Sequence, residues 1–500
     1  MIGVVYLGAV AALAAVTTLL PALLIALYDG DVQLAQRISL FVLVTALLPS
    51  LTLLAVKGRG RSLPRMHGLL AVVGIWIVTV TVATGLCAGL LRLPMASAAF
   101  EATSALTTSG VTTIVRKDEL PRALLFWRVA LEWFGGLLTL ACLMQIVAPA
   151  GLGGLPQFTA QLFSRPSRGR LVDPSERLGH DDPHSLRRTR RIAVRYVLGT
   201  LLLWLMLIPA GPPAMEAGML AMVSIATAGF VFFDGALLDR LPAHTILIMA
   251  FGLALGATSI LWQSGTNFSA SRFARRNVEA LAIAIIVALI AFAVAVRLAT
   301  VSGIAALQPG IIVEGLFAGA SLVATSGLET RPGVIALIPD VLVLVVVFAG
   351  ASLFSTTGGV KLYRLLGLLR YAERELVRLI YPHSVARLQI GGRPVADETL
   401  RAIWAYFVFA VLFILLGAFG LTLGPFNFEA AFKASTALFV SAGPLYAALT
   451  PAAGVAEAGW PLFTEIDAPF LLWSCVIMLL GRLEILVVFA ALNIRFWMGR

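Results

Sequence analysis

Charge is scarce in this chain. Only 13% of its 500 residues are Asp, Glu, Lys or Arg, against 59% hydrophobic, a composition that excludes an ordinary soluble domain and fits an integral membrane protein. Cysteine is scarcer still. Cys87, Cys142 and Cys475 each fall inside an apolar run with no metal-ligand spacing, so they read as small buried residues, not a disulfide framework or a zinc site. Histidines 67, 180, 184, 244 and 383 lie in loops or near the ends of apolar runs. His180 and His184 stand in a Pro-interrupted polar loop and read as solvated side chains, not ligands. No nucleophile, base or metal cluster converges, so an intramembrane enzyme is not supported. The first apolar run, Ile2 to Tyr28, has no basic segment before it, which suits an ordinary first span or a signal anchor better than a cleaved signal peptide.

What is present in abundance is long apolar runs. A helix needs about 20 residues to cross the hydrocarbon. Runs at 2–28, 33–56, 68–91, 120–148, 192–209, 242–264, 278–300, from near Val334, 400–423 and 468–494 predict ten spans. The net charge of +11 is unevenly placed: Lys and Arg gather in alternate connections, at Lys57 to Arg65, Arg165 to Arg195, Arg272 to Arg276 and Lys361 to Arg401, and in the tail at Arg495 and Arg500. That is the positive-inside pattern, with both termini cytoplasmic. The basic balance therefore reports topology and does not point to nucleic acid.

The most informative stretch is Phe100 to Thr113, FEATSALTTSGVTT. It lies between two spans, is too short to cross, and is rich in hydroxyls. This suggests a re-entrant hairpin, a short pore helix followed by a non-helical return, tolerable at that depth only where protein or a water-filled cavity surrounds it. Such a strand offers carbonyl oxygens that can replace a cation's water, and Gly110 permits the positive φ that aims them inward. The pattern recurs between other pairs of spans: Thr108-Ser109-Gly110, Thr227-Ala228-Gly229, Thr325-Ser326-Gly327 and Ser441-Ala442-Gly443. Each copy follows a Glu by nine to fourteen residues (Glu101, Glu216, Glu314, Glu429). A Glu in the first turn of each pore helix suits its positive end and leaves the negative end facing the cation. The fold predicted is an all-α integral membrane protein of four span–pore-helix–span repeats with pseudo-fourfold symmetry around one pore, plus an N-terminal two-helix accessory domain. The divisions are 1–65 accessory, 66–191, 192–277, 278–399 and 400–500.

Three further features stand out. Arg128 and Glu132, four apart on the span after the first hairpin, read as a packing ion pair. The last span of the third repeat runs into Gly350-Ala351-Ser352-Leu353-Phe354-Ser355-Thr356-Thr357-Gly358-Gly359 before Lys361, a sharp loss of helix propensity. Two readings stay open: a flexible constriction beneath the filter, or a helix ending at the inner interface with Gly-Gly as its cap. Arg482 sits in an otherwise apolar span, where a charge costs about 2.5–3.5 kcal/mol on insertion scales. It faces either the pore, as a barrier to cations, or a carboxylate on another span.

Several motifs together resemble the TrkH proteins of the Trk/Ktr/HKT potassium-transporter superfamily. FEATSALTTSGVTT is similar to the family's first filter, WRVALEWFGG (Trp127 to Gly136) to the span after it, STTGGVKLYR (Ser355 to Arg364) to the intramembrane loop of the third repeat, and MLLGRLEI to the final span. The two-helix N-terminus resembles TrkH more than the shorter KtrB branch. The resemblance favours the pore-facing reading of Arg482. It implies gated K⁺ uptake across a bacterial inner membrane, with Thr108, Ser109, Gly110, Thr227, Ala228, Gly229, Thr325, Ser326, Gly327, Ser441, Ala442 and Gly443 at the filter. The gate would comprise Gly350, Ser352, Ser355, Thr356, Thr357, Gly358, Gly359, Lys361 and Arg482. It also implies a homodimer, a cytoplasmic nucleotide-binding TrkA-like regulatory subunit, and no cofactor beyond K⁺. Secondary transport coupled to Na⁺ or H⁺ is the alternative, though no deep carboxylate stands out to carry it. Leu353 and Phe354, Lys433 in the fourth pore helix, and the apolar Phe230-Val231-Phe232-Phe233 after the second filter depart from the family pattern.

Overall fold

A computed structural model describes residues 2–58, 62–63, 65–147, 178–179, 183–260, 278–302, 308–381, 388–390, 393–395, 397–451, 457–485 and 487–488. His180, Arg272 to Arg276, Arg495 and Arg500 lie outside the described residues. The molecule is an all-helical membrane protein apart from two two-residue ribbons, Ser62–Leu63 with Leu178–Gly179 and Gln389–Ile390 with Arg393–Pro394. These ribbons lie in connections and leave the all-α architecture as expected.

Seven helices among the described residues are long and apolar enough to cross a membrane: Ile2–Tyr28, Val32–Val56, His67–Leu90, Arg122–Cys142, Thr189–Ala210, Val278–Val301 and Asp397–Thr422. The other three of the ten expected runs appear among the described residues as shorter apolar helices. Among the described residues the run at 242–264 is α-helical over Ala243–Ala257. The one expected from Val334 begins at Asp340 and stops at Ala349, and the last is described as one continuous helix over Ala468–Arg482. At 1.5 Å per residue, a ten-residue helix covers about half of the ~30 Å hydrocarbon. Apolar composition was read correctly at these places; the backbone breaks came from glycines and from tertiary partners.

The first helix is interrupted at Thr18, between Ile2–Thr17 and Leu19–Tyr28. Pro21 has no N–H to give to Thr17, so the ladder opens there. Asp31 then caps Val32–Val56 by accepting from the Leu34 N–H at 2.9 Å. Only 11% of the most apolar stretch of Val32–Val56 is buried, against 78% for Arg122–Cys142. Val32–Val56 is thus a peripheral helix and Arg122–Cys142 a core helix, because Arg122–Cys142 packs against both the first and second pore helices. The pore helices are Met95–Leu106, Ala214–Ala226, Pro309–Val323 and Phe428–Phe439. The third packs tightly on Val278–Ser302: a Cβ added at Gly315 or Gly319 would stand 2.6 or 2.7 Å from the carbonyls of Ala291 and Val287. Small residues spaced by four let backbones approach in this way.

Candidate functional site

Each pore helix ends in the same turn. The N–H of Ser109 bonds the Ser104 carbonyl at 2.9 Å, Ala228 that of Val223 at 3.0 Å, Ser326 that of Ser321 at 2.9 Å, and Ala442 that of Ala437 at 2.8 Å. One residue earlier, Thr108, Thr227, Thr325 and Ser441 bond three residues back, at 3.0–3.2 Å. This pair of bonds is the Schellman ending of a helix, which places a left-handed residue at its bend, usually Gly. Here that residue is a hydroxyl residue in all four: Thr108 has φ 57°, Thr227 51°, Thr325 53° and Ser441 58°. The sequence reading missed this, having assigned the unusual backbone to glycine. Gly110 does take a positive φ of 77°, and Gly327 of 70°. Gly443, at φ −53°, instead opens the short helix Pro444–Ala448.

The four turns meet in a closed ring. A Cβ added at Gly110 would lie 2.2 Å from Gly229, one at Gly229 2.7 Å from the Ser326 carbonyl, one at Gly327 2.7 Å from the Leu445 N, and one at Gly443 2.7 Å from the Ser109 carbonyl. Direct bonds join neighbours as well: Gly443 N–H to the Ser109 carbonyl at 2.8 Å, and Ser326 Oγ to the Ala228 carbonyl at 2.8 Å. A side chain larger than hydrogen would not fit between these backbones, which accounts for glycine in all four.

The pore-helix carboxylates divide into two kinds. Glu216 and Glu429 stand in first turns, as expected. Glu101 and Glu314 do not, and this corrects the dipole argument for them. Both are buried within their helices and hold the returning strand. Glu101 accepts from Thr112 Oγ1 at 2.6 Å and from the Thr113 N–H at 2.5 Å. Glu314 accepts from Thr330 Oγ1 at 3.4 Å and from Arg331. Arg128 pairs with Glu132 at 3.0 Å, as the spacing predicted, and also with Glu101 at 3.1 Å, with its guanidinium 4.7 Å from the Phe230 ring centroid. Deep carboxylates therefore exist, against expectation, but Arg128 neutralises part of their charge. Lys433, unexpected in a pore helix, pairs with Asp340 and Glu429 at 2.5 and 2.8 Å, tying the fourth hairpin to the last helix of the third.

Beneath the ring lies a non-helical segment, residues 350–361, between helices Asp340–Ala349 and Leu362–Ile380. Every residue of it is buried. The Gly-Gly cap at the inner interface is thus corrected: the backbone stays inside protein for a dozen residues. Its polar groups are met partly from elsewhere in the chain and partly from within the segment. The Ser352 N–H bonds the Ala257 carbonyl at 3.1 Å, and Glu279 accepts from Ser352 Oγ and from the Leu353 N–H. Lys361 Nζ donates to Ser355 Oγ at 3.3 Å, to Thr357 Oγ1 at 3.1 Å and to the Thr357 carbonyl.

Two of the ring's left-handed hydroxyls meet this layer and a third meets Arg482. Thr227 Oγ1 lies 3.0 Å from Thr356 Oγ1, and Thr325 Oγ1 accepts from the Gly358 N–H at 2.9 Å. Thr108 Oγ1 accepts from Arg482 Nη2 at 3.0 Å, while Arg482 Nε reaches Thr139 Oγ1 at 2.9 Å. Arg482 is 6% exposed and lines a cavity with Thr139, Ser355, Thr357 and Lys361. It forms no ion pair among the described residues. Glu484, two residues on, is taken by Arg364 at 2.6 Å.

A family model described as a cation transport protein, TrkH, matches residues 35–170 and 279–495. The chain belongs to the TrkH family. It is 28% identical over 424 residues to the Trk system potassium uptake protein TrkH of Escherichia coli K12, covering 81% of this chain and 80% of that one. It is 27% identical over 512 residues, 98% of each chain, to the TrkH of Vibrio parahaemolyticus. The crystal structure of the potassium transporter TrkH from Vibrio parahaemolyticus superposes with a TM-score of 0.80 at 25% identity, covering 99% of both chains. The molecule is therefore a multi-pass membrane protein with the TrkH fold and, as a member of a transport family, not an enzyme. The second hairpin, with its apolar Phe230 to Phe233, falls between the two matched stretches, yet its turn is built like the other three.

Proposed function

We propose that this protein takes up K⁺ across the bacterial cytoplasmic membrane through a gated, channel-like pore. One observation carries the reading: four pore helices end in the same left-handed hydroxyl turn, and the four turns adjoin in a single ring. Their C-terminal ends, each with a partial negative charge, converge on that ring. The filter is formed by Thr108-Ser109-Gly110, Thr227-Ala228-Gly229, Thr325-Ser326-Gly327 and Ser441-Ala442-Gly443, whose oxygens replace the water of an alkali ion. Residues 350–361, with Gly350, Ser352, Ser355, Thr356, Thr357, Gly358, Gly359 and Lys361, form with Arg482 the barrier on the inner side. In this reading the chain is four pseudo-fourfold repeats, 66–191, 192–277, 278–399 and 400–500, behind an accessory pair at 1–65. Both termini are cytoplasmic, the chain binds K⁺ and no other cofactor, and it contacts lipid but no nucleic acid. It works as a homodimer docked on a TrkA-like nucleotide-binding subunit, consistent with the Trk-system names of its relatives.

Expression in a bacterial strain stripped of its own K⁺ uptake tests this. Growth and Rb⁺ uptake at low external K⁺ are expected; none from a chain that inserts normally ends the proposal. Flux that follows the ion's own electrochemical gradient, without Na⁺ or H⁺, separates it from coupled transport.

A further inference from the structure

The ring is fourfold in its inner half and twofold in its outer half. At the left-handed hydroxyl all four turns share one conformation and one pair of backbone bonds. One and two residues later they part. In the first and third hairpins the glycine has a positive φ, and a serine six residues before it reaches forward across the turn. Ser104 Oγ donates to the Val111 carbonyl at 2.5 Å and Ser321 Oγ to the Leu328 carbonyl at 2.8 Å. Both hydroxyls are fully buried. The same position is Val223 in the second hairpin and Ala437 in the fourth, where no side chain can make the bond. The buried carboxylates repeat the division: Glu101 and Glu314 hold the returning strands of the first and third hairpins, whereas Glu216 and Glu429 remain in first turns.

We propose that Ser104 and Ser321 are positioning residues for ion selection: from the first and third pore helices they lock the outer half of the filter, and these two repeats set discrimination among alkali cations while the other two close the ring. The physical reason is rigidity. Discrimination between ions that differ in radius by a fraction of an ångström needs oxygens that resist collapsing onto the smaller one, or a fixed number of them. A buried hydroxyl bond from the helix to the carbonyl just past the glycine, added to the backbone bond just before it, supplies that resistance. A strand anchored only by its neighbours can follow the ion.

This rests on the K⁺ reading above, and the test separates the two. Full-length chain and the variants Ser104→Ala, Ser321→Ala and the double variant are expressed in the strain lacking K⁺ systems. The half-saturating concentrations of K⁺ and Na⁺ are then measured. Ser224→Ala and Ser435→Ala serve as controls, each removing a buried pore-helix hydroxyl from the second and fourth hairpins; Ser435 Oγ bonds the Ile414 carbonyl at 2.8 Å, away from the filter. Each single variant is expected to lower the preference for K⁺ over Na⁺ about threefold and the double variant about tenfold, in line with the loss of one and two net hydrogen bonds. The controls hold the unaltered ratio, whatever they do to the amount of protein in the membrane. A double variant with the unaltered ratio, or a control that shifts it equally, overturns the inference while leaving K⁺ uptake standing. No uptake by the unaltered chain overturns both. If Ser104→Ala fails to accumulate, Ser321→Ala decides alone.

Discussion

Two parts of this backbone leave the helix inside the membrane, and they satisfy their polar groups in different proportions. The four filter turns rely first on their own pore helices, through backbone bonds to carbonyls three and five residues back, and then on one another. The segment at 350–361 borrows, taking partners from Ala257, Glu279, Thr227 and Thr325, elements of the second and third repeats. Buried backbone must be paired by one route or the other. The difference shows what each part can do. A turn tied first to its own helix keeps its shape when its surroundings shift, which suits ion selection. A segment held by others can be released by moving them, which suits a barrier that opens.

The sharpest way to break this contrast is Gly358→Ala. A Cβ there would stand 1.8 Å from the Val440 carbonyl, at the start of the fourth filter turn. Either the segment or the turn must give, and a loss of about 3 kcal/mol in stability is expected, at the upper end of overpacking costs. Thermal unfolding of the purified protein reads it. Gly85→Ala, where an added Cβ meets nothing, should be neutral or stabilising by up to about 1 kcal/mol. Equal effects from the two would mean that the segment is not seated on the ring.

Arg482→Ala sharpens the comparison from the other side. Two unit charges ~4 Å apart repel by about 4 kcal/mol at an effective dielectric of ~20. Even with partial screening, removing this cation should raise the maximal K⁺ uptake rate about tenfold. The K⁺/Na⁺ preference should stay where it was, since Thr108 keeps its backbone bonds. An unchanged rate would place the whole barrier in residues 350–361.

The smallest effect concerns the outer connection of the third hairpin, another locally satisfied turn. Glu329 accepts from the Ile335 N–H at 2.7 Å and the Gly333 N–H at 3.3 Å, yet burial pushes its carboxyl up to about 7. A folded value above the usual one means that the folded protein binds the extra proton between roughly pH 4.5 and 7. Stability contributed by this group therefore rises as pH falls through that window. Thermal midpoints measured across it should show the slope, and Glu329→Gln should flatten it.

What could be read in advance follows the same division. The Ser/Thr–Ser/Ala–Gly triplets and the Arg128–Glu132 pair are short-range signals and were legible. Glu101 was noticed but given the wrong task, because its distance from the helix start depends on where the helix begins. Glu279 and Arg364 gave no signal, since their partners Ser352 and Glu484 lie 73 and 120 residues away. The left-handed threonines were hidden for another reason: β-branched residues rarely adopt that backbone, and a neighbouring glycine drew the assignment.

The bond from the Gly443 N–H to the Ser109 carbonyl joins the first hairpin to the last. Almost the entire polypeptide must be threaded into the bilayer before that seam can form. A ribosome-bound nascent chain carrying only the earlier hairpins thus has an unfinished tunnel wall with no fixed aperture, and the organism meets a competent conduit only after translation has nearly ended.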